Sequence, residues 1–179
     1  MAKKKTIFDF LEMKQRGEKI TWLTAYDFPT ANLAEQAGIE MLLVGDSVGM
    51  VVYGYSGTIP VTMDQMIYHT EAVRRGAPNT FIIGDMPFLS YQKSIEDAIT
   101  NAGRFYKEAS VDAIKLEGGK RVTPQIRGIV DSGMVAIGHI GLCQYAIKYA
   151  IRIPYWHVVL RASRRQLGNT LSSLFSYFL

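Results

Sequence analysis

A chain of 179 residues with 48% hydrophobic and 20% charged content is long enough for one domain with a sizeable core. No stretch reaches the ~18 charge-free apolar residues of a membrane-spanning helix, and the basic start MAKKKTIFDF meets Asp9 before any apolar run of signal length. All 16 acids precede residue 143, whereas Lys148, Arg152, Arg161, Arg164 and Arg165 follow it, so the net charge of +4 belongs to the tail and implies no nucleic-acid partner for the rest.

From the N-terminus, residues 7–14 are predicted to form a helix that plugs or flanks a sheet. Strands are predicted at 20–25, 41–45, 80–84, 113–116 and 135–138, each short and apolar as in a parallel sheet covered on both faces. Between the first two, a helix starts near Asp27 or Pro29 and stops at Gly38. Thr62 and Gln65 make a capping-box pattern ahead of Met63, Met66, Ile67 and Val73 on one helical face. Arg74 and Arg75 suit that helix's C-terminal end, and Gly76 is expected to take a left-handed cap. Ser94 opens a fourth helix with Glu96 and Asp97 in its first turn and Ala98, Ile99, Ala102 and Phe105 at helical spacing. Thr123 and Pro124 open another, closed by Gly133. Five βα units in a row predict an incomplete (β/α)8 barrel, with a doubly wound sheet as the competing architecture.

Polar residues break the apolar runs at one end only. The first strand ends in Tyr26 and Asp27, the second in Asp46 and Ser47, the third in Asp85, the fourth in Lys115 and Glu117, and the fifth in His139. In a barrel these ends converge on one mouth. Asp46, Asp85 and Glu117 form an all-oxygen set that suits Mg²⁺, and a 2-oxo acid is a natural chelating guest. Each residue also has a plainer reading: Asp46 or Asp85 as a turn former, Lys115 and Glu117 as a structural ion pair, His139 as a hydrogen-bonded core residue. Gly49, Gly54 and Gly57 precede no Gly-Lys-Ser/Thr and open no G-x-G-x-x-G helix, so they fit turns and close backbone approach rather than a phosphate loop. The single cysteine, Cys143, excludes an intramolecular disulfide framework and a cysteine-cluster metal site.

The pieces VGDSVGM, YHTEAVRRGAPN, GDMPF, KLEGG and GHIGL, in this order over roughly residues 5–142, resemble the ketopantoate hydroxymethyltransferase family. The resemblance implies a TIM barrel of the phosphoenolpyruvate mutase and isocitrate lyase superfamily and a ring-stacked decamer, while a cytoplasmic location is the expectation set by the lack of a signal or membrane-spanning stretch. It also implies Mg²⁺-dependent transfer of a hydroxymethyl group from 5,10-methylenetetrahydrofolate to 3-methyl-2-oxobutanoate in pantothenate synthesis. By the same resemblance Asp46 and Asp85 fall on magnesium ligands, with Glu117 a direct or water-mediated partner. Asp46, Ser47, Asp85 and Lys115 fall on oxo acid contacts, while Tyr26 and His139 line the pocket. Another 2-oxo acid lyase or mutase of the superfamily is the nearest alternative.

After Leu142 the family pattern fades. The chain therefore divides into a partial barrel, 1–142, and a divergent basic tail, 143–179, whose acid-free composition suggests out-of-frame coding or truncation. The family's general base is a glutamate at the end of the sixth strand, and no glutamate follows Glu117. Little or no activity is expected from this chain alone, and the assembly expected of the family is doubtful for it. A tail that binds a membrane surface through Tyr145, Tyr149, Tyr155 and Trp156 is the reading of a different class, with Pro154 against a continuous helix.

Overall fold

The computed structural model describes residues 4–140 and the backbone of residues 157–161. Cys143 and the aromatic residues singled out in the tail lie outside the described residues. Strands β1 (Trp22–Thr24), β2 (Met41–Val44), β3 (Phe81–Asp85), β4 (Ala113–Glu117) and β5 (Ala136–Ile140) pair in parallel in chain order. Helices α1 (Ile7–Gln15), α2 (Phe28–Gln36), α3 (Val48–Val51), α4 (Met63–Gly76), α5 (Ile95–Ala109) and α6 (Thr123–Asp131) flank them. A doubly wound sheet reverses its strand order at a switch point; the unbroken order here follows the barrel progression instead. A strand absent from the sequence reading, β6 (His157–Arg161), joins the far edge antiparallel to β5. Among the described residues no helix is long and apolar enough to cross a membrane.

Helix starts follow the sequence signals. Thr62 and Gln65 exchange both capping-box hydrogen bonds at the start of α4, Ser94 accepts from the Asp97 N–H, and Asp27 accepts from the Thr30 N–H. Gly133, at φ +90°, ends α6 as expected. Gly76 does not take the left-handed cap expected of it. Its missing Cβ would stand 2.4 Å from the Phe28 carbonyl oxygen, so glycine there permits close packing of α4 on α2.

Alternation along the strands gives the sheet two different faces. Leu42, Val44, Ile82, Ile114, Leu116 and Ala136 pack with residues of α2, α4, α5 and α6 in the larger core. The opposite set, Met41, Phe81, Ile83, Ala113 and Ile137, packs with Phe10 and Met13 of α1. Phe10 meets Phe81 edge-on at 5.2 Å between ring centres. Because Met41, Phe81 and Ala113 open their strands, α1 covers the inner face at its N-terminal end. The opposite end of that face is left to polar residues.

Three strands run further than expected. Asp85, Glu117 and His139 belong to the sheet, with Asp85 paired to Lys115 and Glu117 to His139. Their polarity marked them in sequence as the points where the apolar runs break, and parallel pairing continues through them.

Candidate active site

Asp85, Lys115, Glu117 and His139 have the same parity as Ile83, Ala113 and Ile137 and so continue the inner face. Register places them on adjacent strands. The Lys115 ammonium contacts Asp85 Oδ1 at 2.7 Å and Glu117 Oε1 at 3.1 Å, and His139 Nδ1 meets the same Glu117 oxygen at 2.9 Å. The Asp46 N–H donates to Asp85 Oδ2 at 3.3 Å, which brings the end of β2 to the group. All four charged residues are buried, with exposures of 5% for Asp46, 3% for Asp85, 6% for Lys115 and 7% for Glu117. Charged groups are rarely so buried without a partner, so this is a paired cluster.

Its electrostatics are lopsided. Burial pushes the Asp85 carboxyl up to about 7, opposed by Lys115 and reinforced by Asp46 and Glu117. Burial alone would lower Lys115, but Asp85 and Glu117 outweigh it and hold the ammonium well above its ordinary value. Burial also opposes ionisation of Glu117, yet its hydrogen bond from His139 and its attraction to Lys115 bring it down to about 2. Three carboxylates face one ammonium. Glu117 Oε2 is buried without a hydrogen-bond partner.

Excess negative charge, an orphaned carboxylate oxygen and an all-oxygen donor set together fit a hard divalent cation. Among the described residues, however, no three His, Cys, Asp or Glu side chains are grouped to hold a metal ion. Asp46 and Asp85 are neighbours, whereas Glu117 is engaged by Lys115 and His139. Magnesium commonly takes only one or two carboxylates and keeps its other positions for water and substrate oxygens, so the pair is sufficient.

The rim completes the arrangement. Tyr26 Oη lies 2.8 Å from Ser47 Oγ, which joins the ends of β1 and β2. Asp27, at the same rim, instead uses its carboxylate to accept from the Thr30 N–H at the start of α2. The plainer reading of Lys115 and Glu117 as an ion pair is also correct, but the pair continues into Asp85 and His139.

Sequence reasoning missed two supports. His69 of α4 donates from Nδ1 to the Tyr26 carbonyl at 2.6 Å, and its Nε2 meets the Tyr53 hydroxyl at 2.9 Å. Tyr91, fully buried in the loop after β3, contacts the backbone of Glu117 through its hydroxyl. No local spacing announces either contact, because both depend on how distant segments register.

The family profile of ketopantoate hydroxymethyltransferase matches residues 4–150. The 3-methyl-2-oxobutanoate hydroxymethyltransferase of Alkaliphilus metalliredigens is 67% identical over 142 residues, covering 79% of this chain and 50% of that protein. The protein of the same name from Moorella thermoacetica is 58% identical over 130 residues, covering 73% and 48%. This chain thus spans about half the length of the curated relatives it matches. Phosphonopyruvate hydrolase, solved with oxalate and Mg²⁺, superposes with a TM-score of 0.56 at 16% identity over 72% of this chain and 48% of that one. For 2,3-dimethylmalate lyase, a phosphoenolpyruvate mutase/isocitrate lyase superfamily member, the score is 0.51 at 19% identity over 63% and 42%. These two support the fold. The chain belongs to the ketopantoate hydroxymethyltransferase family.

Proposed function

We propose that this member of the ketopantoate hydroxymethyltransferase family carries the metal- and oxo acid-binding part of a 3-methyl-2-oxobutanoate hydroxymethyltransferase. In that reaction a hydroxymethyl group passes from 5,10-methylenetetrahydrofolate, with water, to 3-methyl-2-oxobutanoate, giving 2-dehydropantoate and tetrahydrofolate. The observation that supports this reading most is the buried cluster of Asp46, Asp85, Lys115 and Glu117 at the strand ends of a chain matched to the family.

Asp46 and Asp85 are the residues to hold Mg²⁺, with Glu117 as a direct or water-mediated partner. When bound, the ion would polarise the keto oxygen and favour the enolate. Lys115, fixed by two carboxylates, presents positive charge to substrate oxygens. Ser47, oriented by Tyr26, offers a hydroxyl, and His139 lines the wall beside Glu117. These residues bind and orient; none is assigned the proton abstraction, for which the family glutamate has no counterpart after Glu117. We further propose that residues 1–142 form the barrel part and residues 143–179 a separate basic tail. The antiparallel pairing of β6 supports the division, since another βα unit would pair in parallel.

Calorimetry with Mg²⁺ and 3-methyl-2-oxobutanoate, beside a product assay that includes the folate, tests the reading against a full-length relative. Mg²⁺-dependent oxo acid binding by both proteins, with turnover by the relative alone, is the expected result. Failure of this chain to bind the oxo acid in the presence of Mg²⁺, while the relative binds it, would overturn the reading.

A further inference from the structure

The end of β4 outruns its neighbour. Met86 donates its N–H to the Lys115 carbonyl at 2.9 Å, and then Pro87 follows and the chain leaves the sheet. Glu117, two residues beyond Lys115 and on the same side of the ladder, has no β3 partner for its N–H and C=O. The Tyr91 hydroxyl supplies both contacts, donating to the Glu117 carbonyl at 2.9 Å and accepting from its N–H at 3.1 Å. Tyr91 is completely buried, and its loop turns back through Leu89 at φ +66°. Asn101 of α5 tethers that loop by donating to the Ser90 carbonyl at 2.6 Å.

We propose that Tyr91 is a positioning residue that acts as a one-atom extension of β3. It holds Glu117 in strand geometry so that its carboxylate sits between Lys115 and His139. The part concerning the metal rests on the functional reading above; the part concerning Glu117 rests on geometry alone. The fold contains a comparison for it. Tyr106 accepts from the Val135 N–H at 2.8 Å and lies 3.2 Å from the carbonyl of the same residue and 3.1 Å from that of Asp112, a similar device at the opposite end of the sheet.

Tyr91→Phe and Tyr106→Phe each remove one buried hydroxyl and keep the ring. Two readouts separate positioning from plain stability: the His139 ring ¹⁵N signals at one fixed pH, and Mn²⁺ affinity by electron paramagnetic resonance. The Tyr91 variant is expected to shift the His139 signals and weaken Mn²⁺ binding by about 10-fold, the low end for loss of a group orienting a ligand. The Tyr106 variant is expected to lower thermal stability and leave both readouts in place. Asn101→Ala, which loosens the loop with Tyr91 intact, should move the His139 signals the same way by less, and it decides the matter if Y91F does not fold. Unmoved His139 signals in Y91F, or equal shifts in both tyrosine variants, would overturn the proposal. A His139 shift in a chain whose parent binds no Mn²⁺ would sustain the positioning role and count against the metal reading, whereas a His139 shift with unchanged Mn²⁺ affinity would sustain the positioning role and remove Glu117 from the partners of the metal.

Discussion

The two faces of this sheet solve different problems with the same strands. The outer face meets four helices and is apolar from end to end, so each residue contributes through area removed from water. The inner face is apolar only where α1 covers it, and then changes within two residues from Ile83 to Asp85 and from Ala113 to Lys115. Buried ion pairs gain little net stability, because desolvation cancels much of their attraction. What the contrast teaches is that the outer face accounts for folding, whereas the upper inner face is held together for chemistry at some cost to stability.

Substitutions can break that contrast, and the largest effects come first. Lys115→Met leaves Asp85 and Glu117 buried without their cation and should destabilise the chain by about 3–5 kcal/mol in urea unfolding. Phe105→Ala, in the outer core, should cost a similar ~3–5 kcal/mol by opening a cavity. The two separate on adding Mg²⁺, which is expected to restore part of the Lys115→Met loss and none of the Phe105→Ala loss; equal responses would erase the distinction between the faces. Gly84→Ala presses a Cβ to 2.6 Å from Phe105 Cδ1 and should cost about 1–3 kcal/mol, again without a Mg²⁺ effect. Tyr26→Phe removes the hydrogen bond to Ser47. It should lower stability by about 1 kcal/mol and weaken oxo acid binding measured by calorimetry.

The last effect, of similar size and without one on oxo acid binding, belongs to the α2 cap. Asp27→Ala removes the α2 cap and should cost about 1 kcal/mol near neutral pH. Hydrogen bonds from Thr30 hold this carboxyl below its ordinary range. Its contribution is therefore present above the unfolded value, about pH 4, and is lost as the pH falls through the lower folded value. Unfolding curves of D27A and the parent should converge in acid.

Local signals explain which of these features were legible in sequence. The five apolar runs, the Thr62 and Gln65 box and the Ser94 cap are properties of neighbouring residues, and the structure reproduces them. Clustering of Asp46, Asp85, Lys115, Glu117 and His139 followed from parallel strands sharing one end. Strand ends were harder: a charged residue after an apolar run looks like loop until its partner on the next strand is known, as with Asp85 and Lys115. Gly76 was misread because a missing side chain permits either a left-handed turn or a close contact, and only the position of Phe28 decides. Tyr91 and β6 depended on pairing across long separations, which local periodicity does not encode.

The plug formed by α1 also has a consequence for the order of events during synthesis. Phe10 and Met13 leave the ribosome before any of the five parallel strands, yet their partners extend to Val135 and Ile137. Their apolar face must wait more than a hundred residues before its site is complete, unlike α4, which packs against β2, a strand made shortly before it. A helix made before all five parallel strands is therefore among the last to dock, and closure of the inner face reports that the fifth strand has arrived.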